Sequence, residues 1–180
     1  MRRQGPIAGD LPMTQALQSS SSPGLDRMAL VVSAGTSPIG LAFLAGGVVA
    51  ALASRRRFRE AALVVGTGVA ELATILLRLL TERSRPDASL IRVVEFTPGT
   101  SFPSGHAADA AALAMLLGQF TSNRSWPRRI GVWAGLGLFA LSVGIARIYL
   151  GAHWPSDVIG GYLVGGALGL ALGWLAKSNR

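Results

Sequence analysis

Long apolar stretches alternate with short polar segments along the chain, and this pattern predicts its helices. Five stretches approach the roughly 20 apolar residues that a helix needs to cross a bilayer. They lie at about 28–53, 61–80, 104–120, 130–148 and 157–176. No alternation with the two-residue period of a β-strand competes with this interpretation. The sequence therefore predicts an all-α bundle with about five transmembrane helices.

Two of these stretches are irregular. The first contains Gly35, Thr36, Ser37 and Pro38 in succession, which predicts either a kink or a helix that begins only after Pro38. The third is short and begins with polar residues, so its outer end is expected to face protein or water rather than lipid.

A polar segment at 1–27 precedes the membrane-embedded domain at 28–177. It is rich in Ser, Gln, Gly and Pro, and it lacks an apolar core long enough for a signal peptide. A flexible tail is the preferred interpretation for 19–24, while 7–17 could form a short helix on the outer face. An outside N-terminus without a signal peptide also leaves open that a further helix precedes this chain.

The composition supports a membrane location. Half of the 180 residues are apolar, only 14% are charged, and the mean hydropathy is +0.44. An average soluble domain carries about 25% charged residues, so this chain has too little polar surface for an aqueous environment. Its 23 glycines suit a helix bundle, in which small residues allow close packing. Because the chain has no cysteine, disulfides and thiolate metal sites are excluded.

The net charge is +8, and the basic residues lie in short clusters between the apolar stretches. The clusters contain Arg55, Arg56, Arg57 and Arg59, then Arg124, Arg128 and Arg129, and finally Lys177 and Arg180. Five spans place all three clusters on one side of the bilayer, which the positive-inside rule makes cytoplasmic. The N-terminus then lies outside the cytoplasmic membrane and the C-terminus inside. No basic helix or aromatic-studded basic strip predicts nucleic-acid binding.

The two histidines, His106 and His153, both lie at outer ends of predicted spans, opposite the arginine clusters. His153 follows Arg147 on the turn between the last two spans, and Asp157 lies four residues further on. Asp157 can bond one ring nitrogen and leave the other free to attack as a nucleophile. The alternative is a His–Asp pair that only caps the following helix, which does not explain Arg147 at the edge of the hydrocarbon.

Ser104, Gly105 and His106 open the third span. Serine is a favoured N-cap residue, and glycine lets backbone amides approach an anion at the positive end of the helix dipole. His106, one turn into the helix, could donate a proton to a departing alkoxide or phosphate. An ordinary Ser-Gly helix start with an incidental histidine is the alternative.

Arg78 and Arg85 stand at the end of the second span. Arg78 lies within its outer turn, where an unpaired charge is costly, so it needs an anion or an aqueous cavity. An ion pair with Glu71 is one alternative, and Arg83 and Arg85 could equally be interfacial side chains. Guanidinium groups match phosphate, and the histidines and the aspartate supply the remaining chemistry without a metal or other cofactor.

In combination, the patterns R-x6-R-P, P-S-G-H and R-x5-H-x3-D resemble the type 2 phosphatidic acid phosphatase (PAP2) superfamily. The resemblance covers about 26–176 and implies a phosphohistidine intermediate on His153, oriented by Asp157, with His106 as the general acid. It further implies that the phosphate is bound by Arg78, Arg85, Ser104, Gly105 and Arg147.

Two features depart from the family pattern. The first motif usually begins with lysine, whereas Arg78 replaces that compact charge with a larger planar fork. Membrane members of the family usually have six spans, whereas this sequence predicts five.

The sequence therefore predicts an integral-membrane lipid phosphatase with its active site at the outer leaflet. Undecaprenyl pyrophosphate is the first expected substrate because of the breadth of the family in bacteria, followed by phosphatidylglycerophosphate and phosphatidic acid. The alternative is a non-catalytic protein that binds or transports a lipid phosphate, although binding alone needs only the arginines. Haloperoxidase chemistry on bound vanadate is disfavoured because those relatives are soluble.

Overall fold

A computed structural model describes residues 5–178, and within them the chain forms eight α-helices and no β-strand. The helices are α1 (Asp10–Gln18), α2 (Pro23–Gly35), α3 (Pro38–Ala53), α4 (Phe58–Gly66), α5 (Val69–Thr81), α6 (Gly105–Gln119), α7 (Trp126–Tyr149) and α8 (Pro155–Ser178). The predicted all-α class is confirmed. Each of the five apolar stretches is helical, and their ends agree with the prediction to within five residues.

Three helical segments are long and apolar enough to cross a bilayer: α4 with α5, α7, and α8, each of 24 residues. Such a segment is about 36 Å long, which exceeds the hydrocarbon layer of about 30 Å. Together, α2 and α3 can form a fourth span, bent by 63° where Pro38 begins the second helix. This bend confirms the predicted kink, since proline cannot continue the hydrogen bonding of the preceding helix.

The remaining predicted span, α6, has only 15 residues and lies inside the bundle. At about 22 Å it is shorter than the hydrocarbon layer. Most of its residues are buried, and it packs against α5, α7 and α8. The polar start of α6 is therefore enclosed by protein, as its composition predicts.

A stripe of glycines brings α6 and α8 close together. A Cβ atom on any glycine of the stripe would collide with α6, and the stripe consists of Gly161, Gly165, Gly169 and Gly173. Small residues at this spacing let helix backbones approach closely. Gly161 lies against Ser104 and Gly173 against Gln119, so the two helices run parallel. Their N-termini, and the positive ends of their dipoles, therefore lie at the same end of the bundle.

The N-terminal segment also lies at this end. Helix α1 occupies most of the 7–17 stretch for which a surface helix was the alternative, and α2 already begins at Pro23. Asp10 joins α1 to α8, because its carboxylate accepts a hydrogen bond from the backbone N–H of Ser156 at 2.9 Å. Helix α1 therefore covers the end of the bundle at which α8 begins.

The arginine-rich loops lie together at the opposite end. Arg59 donates a hydrogen bond to the carbonyl oxygen of Leu175, near the end of α8. The guanidinium of Arg57 lies 5.8 Å from the ring centroid of Phe120, which follows α6. Arg180, a member of the third predicted basic cluster, lies outside the described residues. The bundle thus separates its basic end from the end that carries the histidines, as the sequence predicts.

Candidate active site

His153 lies in the short loop between α7 and α8. After α7 ends at Tyr149, Gly151 turns the chain with a φ of 70°, a left-handed conformation that favours glycine. The backbone N–H of His153 then donates to the carbonyl oxygen of Arg147 at 3.3 Å. This turn directs the imidazole into the protein, where it is buried.

The two ring nitrogens of His153 face opposite charges. Nε2 lies 3.1 Å from Nη1 of Arg85, and Nδ1 lies 3.6 Å from Oδ2 of Asp157. Because a guanidinium can only donate, we assign the lone pair of the ring to Nε2 and its proton to Nδ1. The nitrogen that carries the lone pair therefore points toward Arg85 and away from the carboxylate.

His153 is neutral in this environment. Burial, and then the charges of Arg85 and Arg147, lower the pKa of His153 well below its ordinary value. Burial also lowers the pKa of Arg85 to about 10, with the charge of Arg78 adding to the effect. At pH 7 the site therefore combines a neutral imidazole with a protonated guanidinium, as a nucleophile and a phosphate ligand require.

Asp157 is held by several contacts besides His153. Its Oδ2 accepts a hydrogen bond from the backbone N–H of Trp154 at 2.8 Å, and its Oδ1 accepts one from Nη1 of Arg83 at 2.6 Å. The 3.6 Å separation between Oδ2 of Asp157 and Nδ1 of His153 is longer than a hydrogen bond. The carboxylate is thus fixed behind Nδ1 of His153, where it favours a positive charge on the ring.

Arg78 and Arg85 reach the site from the end of α5 and the loop after it. Nε of Arg78 donates to the carbonyl oxygen of Pro103 at 3.0 Å, and its Nη1 lies 3.8 Å from Oε1 of Glu71. The ion pair with Glu71, which the sequence offered as an alternative for Arg78, is present. Nη1 of Arg85 also donates to the carbonyl oxygen of Ala152 at 2.8 Å.

Arg147 is buried at the end of α7 and joins it to two other elements. Its Nη1 donates to Oε1 of Glu95 at 2.6 Å and to the hydroxyl of Ser33, and its Nη2 donates to Thr97 at 3.3 Å. Burial opposes the ionisation of Glu95, but hydrogen bonds from Arg147 and Ser33 outweigh it and keep the pKa of Glu95 below its ordinary value. Arg147 is therefore paired with the carboxylate of Glu95, which lies in the loop before α6.

The N-terminus of α6 completes the site. A Cβ atom at Gly105 would collide with Nη2 of Arg78 and with Glu71, so glycine allows α5 to approach. Ser104 stands at the N-cap position, but its hydroxyl makes no capping bond, contrary to the expectation from its residue type. His106 lies in the first turn of α6, where the charges of Arg147, Glu95 and Arg78 act on it.

Several buried donors at this site have no protein partner. Among the described residues they include Nε of Arg85, Nε of Arg147 and the hydroxyl of Ser104. An unsatisfied buried donor costs about 1–3 kcal/mol, and phosphate oxygens, which accept only, would satisfy all three. Within residues 5–178, no group of three or more His, Asp or Glu side chains is placed to hold a metal ion. The donor set suits an anion.

The structure adds residues around Asp157 that the sequence did not indicate. The interpretation of Arg83 as an interfacial side chain is wrong, because Arg83 is buried between the carboxylates of Asp10 and Asp157. The same interpretation is wrong for Arg85, which contacts His153. Asp10 gave no signal, since it lies in the polar N-terminal segment and far from Asp157 in the chain.

Comparison with known proteins identifies the family of this chain. The model of the PAP2 superfamily matches residues 59–180, which is more than half of the chain. The chain belongs to the PAP2 superfamily. Decaprenylphosphoryl-5-phosphoribose phosphatase of Mycobacterium tuberculosis is 36% identical over 94% of this PAP2 chain and 90% of its own length. Phosphatidylglycerophosphatase B of Bacillus subtilis is 38% identical over 64% of this chain and 54% of its own length.

The fold has a counterpart among solved structures. The crystal structure of a transmembrane PAP2-type phosphatidylglycerolphosphate phosphatase from Bacillus subtilis matches with a TM-score of 0.85 and 24% identity. The match covers 96% of this chain and 87% of that one. With the relatives above, these findings make this PAP2 protein a multi-pass membrane phosphatase that hydrolyses phosphoric esters of lipids.

Proposed function

We propose that this PAP2 protein removes a terminal phosphate from a polyprenyl lipid through a phosphohistidine intermediate on His153. The observation that carries the proposal is the placement of the His153 ring, with Nε2 facing Arg85 at 3.1 Å and the carboxylate of Asp157 behind Nδ1. This placement supplies a neutral nucleophile beside a cationic phosphate ligand.

The first step forms the phosphohistidine. Nε2 of His153 attacks the phosphorus atom, and the bond between phosphorus and the lipid oxygen breaks. His106 donates a proton to the departing oxygen, while Asp157 stabilises the positive charge on His153. The guanidinium groups and the N-terminus of α6 bind the equatorial oxygens of the transition state through Arg78, Arg85, Arg147, Ser104 and Gly105.

The second step hydrolyses the phosphohistidine. A water molecule attacks phosphorus on the side that the lipid oxygen has left, and His106 accepts a proton from it. The bond between phosphorus and Nε2 breaks, inorganic phosphate leaves, and His153 is again neutral. The positive charge in this scheme comes from arginines, so the scheme uses no metal ion.

Two cavities adjoin the site and suit an amphipathic substrate. A cavity of about 400 Å³ between α3, α4, α5 and α6 is lined by apolar residues such as Leu41 and Val64, and it reaches Glu71, the partner of Arg78. A cavity of about 760 Å³ opens between the outer loops beside Arg85 and is lined in part by Asp87 and Thr97. The first suits a hydrocarbon chain, and the second suits a hydroxylated group next to the phosphate.

A polyprenyl-linked sugar phosphate is therefore the first substrate class to test. Its support is the cavity beside Arg85, whose lining includes the polar side chains of Asp87 and Thr97, and the Mycobacterium tuberculosis relative, which matches nearly the whole chain. Undecaprenyl pyrophosphate, the first expectation from the sequence, comes next, followed by phosphatidylglycerophosphate and phosphatidic acid. Each of these lipids presents a phosphate at a membrane surface.

We also propose that the site faces the outside of the cytoplasmic membrane. The support is the distribution of arginine, because Arg57 and Arg59, at the start of α4, lie at the end of the bundle opposite His153. Loops rich in arginine remain in the cytoplasm by the positive-inside rule.

Phosphate release by the purified protein across these four lipids, with a chelator present, tests the proposal. Wild type should release phosphate from at least one lipid, low vanadate should inhibit it, and His153→Ala should release none while unfolding at a similar temperature. Release by His153→Ala at the wild-type rate would contradict the mechanism. Tight binding of a lipid phosphate without release would instead indicate the non-catalytic binding protein.

A further inference from the structure

Arg83 lies between two carboxylates, one of them the aspartate behind the nucleophile. Its Nη1 donates to Oδ1 of Asp157 at 2.6 Å, and its Nη2 donates to Oδ2 of Asp10 at 2.5 Å. The side chains of Arg83, Asp10 and Asp157 are only 6%, 3% and 0% exposed. They form a buried row of carboxylate, guanidinium and carboxylate that ends behind Nδ1 of His153.

Asp10 is also attached to the start of α8. Its Oδ1 accepts from the backbone N–H of Ser156 at 2.9 Å, and its Oδ2 accepts from the hydroxyl of Ser156 at 2.8 Å. Burial opposes the ionisation of Asp10, but hydrogen bonds from Ser156, Ile7 and Arg83 outweigh it and hold the pKa of Asp10 below its ordinary value. Asp10 is therefore ionised at pH 7, and the dipole of α8 favours its charge.

The net charge of the row depends on Asp10. A pair formed by Arg83 and Asp157 alone would be neutral, and little negative charge would remain to stabilise a positive His153. With ionised Asp10 the row carries one net negative charge, which buried surroundings screen only weakly.

We propose that Asp10 and Arg83 are positioning residues for the reaction at His153. Arg83 fixes the orientation of the Asp157 carboxylate, and Asp10 balances the charge of Arg83 so that Asp157 stabilises the phosphorylated ring. The inference rests on the proposed function, because it concerns the same reaction. Neither residue touches the reacting atoms, and the N-terminal helix α1 becomes part of the catalytic unit.

Asp10→Asn tests this role, and Asp26→Asn is the matched control. Asp26 is also an N-terminal carboxylate and binds Arg92 at 2.8 and 2.9 Å, in an ion pair that leads to the outer loop rather than to Asp157. We expect Asp10→Asn to lower kcat by about tenfold with little change in KM, because the charge acts on the transition state. Asp26→Asn should leave kcat within about twofold of wild type, even if both variants unfold at lower temperature.

Two further variants distinguish charge from folding. The double variant Asp10→Asn/Arg83→Gln removes both charges and leaves the negative charge on Asp157, so its kcat should exceed that of Asp10→Asn. Asp10→Glu keeps the charge and should retain more activity than Asp10→Asn. If Asp10→Asn does not fold, the kcat of Asp10→Glu is compared with that of the double variant, and both of these variants should be active.

Several results would overturn the inference. The first is an equal loss of kcat in Asp10→Asn and Asp26→Asn. The second is a lower kcat in the double variant than in Asp10→Asn. The third is a lack of activity in both Asp10→Glu and the double variant when both fold normally. His153→Ala in the same assay separates this inference from the proposed function. If His153→Ala is inactive and Asp10→Asn is fully active, only the role of Asp10 and Arg83 fails; if His153→Ala is active, the proposed function fails.

Discussion

Nε2 of His153 and Nη1 of Arg85 lie 3.1 Å apart at the end of the bundle that carries the histidines. The guanidinium donates toward the lone pair that attacks phosphorus in the proposed mechanism, so it holds the ring in the tautomer that this mechanism needs. Phosphate oxygens are stronger acceptors for a guanidinium than a neutral imidazole is. We therefore expect the bound phosphate to take over this donor and to release the lone pair of His153 for attack.

A titration of His153 tests its charge state. The chain has two histidines, so His106→Gln leaves His153 as the only histidine signal in a protein purified without a histidine tag. Because burial and Arg85 lower the pKa of His153, NMR of the labelled ring should show the neutral form, protonated at Nδ1, at about pH 6. Half-protonation at or above the ordinary pKa of 6.5 would contradict this expectation.

The lowered pKa of His153 also predicts how the stability of the folded protein depends on pH. The unfolded chain binds a proton on His153 as the pH falls through about 6.5, whereas the folded protein does so only at a lower pH. Stability is therefore lost as the pH falls below that value, by up to about 1.4 kcal/mol per pH unit. Thermal unfolding in detergent should show a larger loss for wild type than for His153→Asn between about pH 7 and pH 5. Equal losses would argue against a buried neutral ring.

Arg85 should contribute to catalysis through both its charge and its shape. Arg85→Gln removes both and should lower kcat by about 10²–10³-fold, the range seen when one strong transition-state donor is lost. Arg85→Lys keeps the charge but loses the planar fork, so its kcat should lie in between. Arg92→Gln is the control, since Arg92 pairs with Asp26 at 2.8 Å in the outer loop. A comparable loss of kcat in Arg92→Gln would contradict a specific role for Arg85.

The apolar helices and the motif residues could be predicted from the sequence because both are local patterns. A run of apolar residues identifies a span whatever the rest of the chain does. Asp157 lies one helical turn from His153, so their proximity needs no knowledge of the fold. The bend before Pro38 follows in the same way from the chemistry of a single residue.

Arg83 and Ser104 show why the rest could not be predicted. An arginine near a helix end is usually interfacial, and Arg83 is buried only because α1 lies across the bundle and supplies Asp10 from a distant part of the chain. Serine usually caps a helix through its side chain, but the hydroxyl of Ser104 has no partner in the described protein. Both outcomes depend on tertiary packing, which local preferences do not contain.

The glycine stripe of α8 should control both stability and activity. A Cβ atom at Gly165 would meet the backbone of Ala108, so Gly165→Ala should force α6 and α8 apart and cost about 1–3 kcal/mol. Activity should fall as well, because the 3.0 Å hydrogen bond from Ser104 N–H to the Asp157 carbonyl depends on this spacing. A Cβ atom at Gly166 would point into open space, so Gly166→Ala is the control. Thermal unfolding and phosphate release that are equal in the two variants would refute this role of the stripe.

Identifying the residue that is phosphorylated during turnover tests the central claim most directly. His106→Gln lacks the base for the hydrolysis step, so it should accumulate the intermediate when supplied with an aryl phosphate whose leaving group needs no proton. Quenching in alkali preserves a phosphorus–nitrogen bond, and mass spectrometry of the digest then locates the phosphate. The account predicts phosphate on His153 and none in the double variant His106→Gln/His153→Ala. Phosphate on any other residue, or unchanged phosphate release by His153→Ala, would contradict it.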